Sequence, residues 1–108
     1  MSLNSKIQRI VHELREALKS LYGDRLSQLV LFGSQARGEA GPYSDIDILV
    51  VFKSPVNLET EKEHVIDITS VLSLENDTVI SCLYMPEERF LYEDSPLLRN
   101  IRNEGVIL

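Results

Sequence analysis

The stretch that most constrains this 108-residue chain is Asp45-Ile46-Asp47-Ile48-Leu49-Val50-Val51-Phe52. Acid and apolar residues alternate at first, and then four apolar residues follow without a break. That pattern predicts a strand over Asp45–Phe52 that starts at a polar edge and finishes inside a core. A second apolar run, Leu29-Val30-Leu31-Phe32, closes a predicted strand over Leu26–Phe32 and is likewise too continuous to face water. Between them, Gly33 to Ser44 contains Gly33, Gly38, Gly41 and Pro42, so it reads as a loop with one helical turn at Ser34–Arg37.

Around this pair of strands the periodicity is helical. Ile7, Ile10, Val11, Leu14, Leu18 and Leu21 recur at three- and four-residue steps, the mark of one apolar helix face, and Gly23 is a C-terminal stop. A second helix is expected over Glu59–Leu74 with Val65, Ile68, Val71 and Leu72 inward and the acidic run Glu59–Glu63 in its first turn. Lys53-Ser54-Pro55 ends the strand before it. Asn76-Asp77 turns into a third strand, Thr78–Met85, which Pro86 breaks. Ser95 and Pro96 mark a last helix as N-cap and first residue, ending at Gly105 and leaving Val106-Ile107-Leu108 as an apolar tail that could meet a partner. The order is α-β-turn-β-α-β-α, an α+β (mixed α/β) class, and the length fits one domain over 1–108.

Composition removes several function classes. No apolar run approaches the roughly 18–20 residues that span a bilayer, so no membrane association is expected. No basic segment leads into an apolar one as in a signal peptide, and the one cysteine, Cys82, cannot close an internal disulfide; both fit a cytoplasmic setting. Eleven basic against 17 acidic residues give a net charge of −6, which disfavours a long nucleic-acid partner.

The chemistry is concentrated in Gly33-Ser34-Gln35-Ala36-Arg37-Gly38 and Ser44-Asp45-Ile46-Asp47. Residues two apart on a strand share a face, with Cα atoms roughly 6.6 Å apart. Asp45 and Asp47 therefore aim two carboxylates the same way, an arrangement that repels itself unless a cation sits between. Mg²⁺ is commonly held by one or two carboxylates plus substrate phosphates. Upstream, Gly33 has no side chain to keep backbone N–H groups from a phosphate, Ser34 adds a hydroxyl, and Arg37 carries a permanently charged fork. A phosphate cradle beside paired carboxylates is suited to metal-assisted phosphoryl chemistry. Bland readings cover the rest. Gly38 and Gly41 are loop glycines, His12 is solvated, and His64 flanks the second helix's buried face. Cys82 is a small buried hydrophobe, and Phe90, Tyr84 and Tyr92 fill core or interface.

These residues resemble the signature of the DNA-polymerase-β-like nucleotidyltransferases, and within them the minimal nucleotidyltransferase (MNT) group, along nearly the whole chain. The resemblance implies a mixed sheet of three or more strands backed by helices. It implies transfer of a nucleoside monophosphate, AMP from ATP, to a hydroxyl, with two Mg²⁺ held by Asp45 and Asp47 as catalytic ligands. It places the nucleotide phosphates at Gly33 and Ser34, with Arg37 and Ser44 beside them. It also implies a helical partner protein of the HEPN type in a toxin–antitoxin pair, with the chain as the antitoxin; a homo-oligomer is a further option. The resemblance departs at one point. The family commonly supplies a third carboxylate from the third strand, and Thr78–Met85 contains none. Ser81 stands about where the acid is expected, while Asp77 reads as a turn residue. A catalytically degenerate nucleotide-binding module, acting by contact with the partner, is therefore the alternative.

Overall fold

The computed structural model describes residues 5–39, 41, 44–53 and 57–108. Its elements are α1 (Ser5–Tyr22), a 3₁₀ turn (Gly23–Arg25), β1 (Leu26–Phe32), α2 (Gly33–Arg37), β2 (Ile46–Phe52), α3 (Leu58–Asn76), β3 (Ile80–Pro86), α4 (Glu87–Tyr92), α5 (Pro96–Glu104) and β4 (Val106–Ile107). The fold is α+β with a mixed sheet in the order β3-β2-β1-β4. β1 runs antiparallel to β2 and to β4, and β2 runs parallel to β3. Part of the Gly33–Ser44 loop (residues 40, 42 and 43) and the Ser54-Pro55 stop lie outside the described residues. Among the described residues, no helix is long and apolar enough to cross a membrane.

Strand alternation sorts the core onto two faces of the sheet. Ile46, Ile48, Val50 and Phe52 of β2 join Leu29 and Leu31 of β1 against α1 and α3. Leu49 and Val51 join Val30 on the other face, covered by Phe90 of α4 and by Leu98 and Ile101 of α5. The uninterrupted apolar end of β2 is thus explained, because helices lie on both sides of it.

Several boundaries differ from expectation for identifiable reasons. Leu21 stays 43% exposed and Tyr22 takes the last inward position of α1. Both lie one turn beyond Leu18. Tyr22 prevails because its ring meets Phe52 edge-on at 5.0 Å and its hydroxyl donates to the Glu61 carbonyl at 3.0 Å. On α3, Val65 and Leu72 are buried but Val71 is 54% exposed. Glu61 belongs to that inward line, one turn before Val65, so it is not a solvated first-turn acid. It is 7% exposed and meets Arg25 at 3.2 Å. β3 begins at Ile80 because the Thr78 N–H still closes the end of α3 on the Ser73 carbonyl; the ladder with β2 opens with the Ile46 N–H on the Val79 carbonyl. Pro86 ends β3 and is also the N-cap of α4, a helix the sequence reading passed over.

The apolar tail is a strand. Val106 and Ile107 pair with Leu31 and Val30, and the Leu108 N–H donates to the Leu29 carbonyl at 2.9 Å. Ser95 caps α5 by accepting from the Leu98 N–H, and Gly105 lets the helix turn into β4. A Cβ at position 105 would lie 2.6 Å from Val30 Cγ1 and hard against the Ile101 carbonyl. Gly105→Ala should therefore cost about 1–3 kcal/mol of stability, read as a lower urea midpoint with an unchanged slope.

Candidate active site

The site forms where β1 hands over to α2 beside the start of β2. Phe32, the last residue of β1, is paired with Asp47, and Asp47 is paired on its other side with Ser81 of β3. Asp47 lies on the α4/α5 face, the same face as Leu49 and Val51, at the end of the strand where that apolar cover runs out. Gly33 follows Phe32 in the left-handed region, at φ +73°. A Cβ there would collide with Asp47 Oδ2 and sit 3.3 Å from its Cγ. Only glycine allows both the sharp strand-to-helix turn and the close approach of the carboxylate to the backbone.

Asp45 precedes the ladder and is exposed, whereas Asp47 is half-buried. Burial, and next the charge of Asp45, push the Asp47 carboxyl above its ordinary value, while Arg37 pulls it the other way. The two acids therefore sense each other, and a divalent cation is the group that would relieve them. Among the described residues, no cluster of three or more His, Cys, Asp or Glu side chains could hold a metal. Ser81 is the exposed residue level with Asp47 on β3. Asp77 caps α3 in the left-handed conformation, at φ 48°. It lies four residues before Ser81, roughly 13 Å away if that stretch were extended.

Ser34 is half-buried in the first turn of α2. Ser44 clasps the connecting loop just ahead of Asp45: its hydroxyl accepts from the Gly41 N–H at 2.9 Å, and its own N–H donates to the Gly41 carbonyl at 3.2 Å. Arg37 is held by two carboxylates, with Nε on Glu39 Oε2 at 2.9 Å and Nη1 on Glu104 Oε2 at 3.5 Å. Gly33 and Arg37 form one wall of a cleft of ≈ 240 Å³ whose other wall is Leu97, Asn100 and Glu104 of α5. The sequence reading placed no site residue on α5. The available signal was spacing alone: 97, 100 and 104 share a helix face offset from the buried Leu98 and Ile101. His12 and His64 are exposed, and His64 Nδ1 lies 3.9 Å from Glu61. Cys82 packs against the α1/α3 core, and burial pushes its thiol up to about 11.

Residues 11–108 match the nucleotidyltransferase domain family. A candidate protein adenylyltransferase of Methanocaldococcus jannaschii, MJ0604, is 35% identical over 102 residues, covering 94% of this chain and 96% of its own. The structure of a candidate minimal nucleotidyltransferase superposes with a TM-score of 0.60 at 26% identity, over 100% of this chain and 97% of that one. The crystal structure of a toxin–antitoxin with AMP-PNP shares the fold at a TM-score of 0.60 and 19% identity, over 96% of this chain and 72% of that one.

Two outcomes follow from the local geometry. Gly33→Ala should cost about 1–3 kcal/mol in stability through the left-handed backbone and the clash with Asp47, measured by thermal and urea melts. Asp47→Asn should raise the melting temperature of the metal-free protein at neutral pH. The folded-state value of Asp47 is raised, so its ionised form opposes folding above that value. The advantage of the variant should therefore shrink as pH falls and vanish below about 3.9, the unfolded carboxyl value. A melting temperature for Asp47→Asn below the wild type at pH 7 would contradict this electrostatic picture.

Proposed function

The chain belongs to the nucleotidyltransferase domain family, and from that premise we propose that it binds ATP with Mg²⁺ and transfers AMP to a hydroxyl on a partner protein. The observation that carries this reading is the packing of side-chain-free Gly33 on Asp47, with Asp45 alongside and a cleft opening at Gly33. Asp45 and Asp47 would hold Mg²⁺, which when bound neutralises charge building on the transferred phosphoryl group. The Gly33 backbone and the Ser34 hydroxyl would anchor the β- and γ-phosphates, and Arg37 would add its guanidinium. The acceptor oxygen attacks the α-phosphorus in line. An O–P bond forms as the α–β bridging bond breaks, pyrophosphate departs, and the acceptor loses its proton.

The protein similar to the chain over almost its full length, MJ0604, bears the name of a protein adenylyltransferase, which favours a protein acceptor and AMP. The acceptor hydroxyl is then one carried by another protein. A helical HEPN-type toxin fits that role, and the toxin–antitoxin structure with AMP-PNP has the same fold. Ser81 favours a second reading. A serine level with Asp47 cannot take the acceptor's proton near neutral pH. On that reading the chain binds nucleotide and acts on its partner by contact.

Intact mass of the protein and its genomic neighbour after incubation with each NTP and Mg²⁺ separates the two readings. A gain of one or more nucleoside monophosphates on the neighbour supports transfer and identifies the base. Complex formation without any mass gain supports the contact reading. Asp45→Asn should weaken Mn²⁺-dependent ATP binding more than about tenfold, equivalent to about 1.4 kcal/mol, by calorimetric titration; unchanged affinity would remove Asp45 from the site. Any transfer should survive Asp77→Ala and rise in Ser81→Asp.

A further inference from the structure

Arg37 is a cation whose charge Asp47 senses, yet its guanidinium is already engaged. Glu39 lies two residues away in sequence, so its ion pair is local. Glu104 comes from the far wall of the cleft, and the Arg37–Glu104 pair at 3.5 Å spans the opening between α2 and α5. The two ends of this bridge are held very differently. Glu104 is the last residue of α5, whose end is pinned by the Gly105 N–H on the Ile101 carbonyl, by the contact of Gly105 with Val30, and by β4 pairing with β1. Arg37 ends a five-residue helix, and its side chain is partly exposed. The backbone that carries Glu104 is therefore fixed, while both side chains of the bridge are open to solvent.

We propose that Glu104 is a gate on the nucleotide site, holding Arg37 across the cleft in the nucleotide-free protein and yielding it to a competing polyanion. The inference rests on the reading of this cleft as a triphosphate site and adds a residue that regulates it. A guanidinium that pairs with carboxylates pairs equally with phosphate oxygens, and bidentate geometry suits both. The exchange is feasible because the bridge is solvent-exposed on both sides, where such pairs are weak. Glu104 also places a negative charge on the cleft wall across from Gly33, so it opposes a triphosphate directly as well as by sequestering Arg37. Glu104 is accordingly a positioning residue that acts through Arg37 and touches no reacting atom.

The test is calorimetric titration of ATP with Mg²⁺ into wild type, Glu104→Gln, Arg37→Gln and the double variant, with melting temperatures alongside. Glu104→Gln should bind ATP about 3–10-fold tighter, and the gain should shrink when Arg37 is absent, as a double-mutant cycle reads it. Glu39→Gln, which removes the shorter pair of the same guanidinium, should also tighten ATP binding, and again only while Arg37 is present. A bridge that merely fastens α5 to α2 predicts the opposite pattern: a lower melting temperature for Glu104→Gln with unchanged or weaker ATP binding. That result would overturn the gate. ATP binding that is lost in Asp45→Asn but unmoved by Glu104→Gln overturns the gate alone. Absence of ATP binding in both wild type and Glu104→Gln overturns the gate and the nucleotide reading together.

Discussion

The contact between Gly33 and Asp47 is the constraint on which the rest of the site depends. β1 must end at Phe32, opposite Asp47, for the chain to turn into α2 where it does. It can turn there only in a left-handed conformation, and the carboxylate occupies the space a Cβ would need. One missing side chain thus couples two elements: the register of the β1–β2 ladder and the direction of α2. Shift the register by one residue and Asp47 exchanges places with the buried Ile46 or Ile48, exposing core and burying an unpaired acid.

That coupling explains the division of labour across the sheet. The α1/α3 face contains the larger core, with Ile10, Leu14, Leu18, Ile46, Ile48, Val50 and Phe52 fully buried, and Ala36 of α2 packs into it. The α4/α5 face has a smaller core of Val30, Leu49, Val51, Met85, Phe90, Leu98 and Ile101. It stops short of the end of β2 where Asp47 emerges, and the cleft between α2 and α5 opens beside it at Gly33. Stability comes mainly from one face, which leaves the other free to hold a strained glycine and two like charges.

Much of this was legible in the chain because the informative signals were local. The strand at Leu26–Phe32, the glycine turn after it, the apolar run to Phe52 and the Ser95-Pro96 cap each depend on a few neighbouring residues, and each is where expected. The pairing of Asp45 with Asp47 was a spacing argument, and the Asp47 carboxyl is raised first by burial and then by the charge of Asp45. What escaped depended on partners distant in sequence. Glu61 reads as a surface acid until Arg25 and the Tyr22 hydroxyl are brought to it. Val106-Ile107 reads as a loose tail until β1 offers an edge. Asn100 and Glu104 have no motif; they join the site only because Gly105 ties the end of α5 to Val30.

The same locality argument bears on the third strand. A parallel neighbour is reached through a long crossover, here α3, so its register against β2 is set by where the helix ends and not by any turn chemistry shared with β2. Asp77 ends that helix in a left-handed cap, with the Thr78 N–H still bonded back to Ser73. Two more residues pass before the ladder starts, and the register then delivers Ser81 to Asp47. Moving Asp77 to that level would require unwinding a full turn of α3 and drawing its inward residues, Leu72 among them, out of the core. The fold therefore assigns position 81, and no nearby acid can substitute by a slip of register. At that level the sheet offers a hydroxyl, which can donate or accept a hydrogen bond but cannot hold a proton as a base near neutral pH.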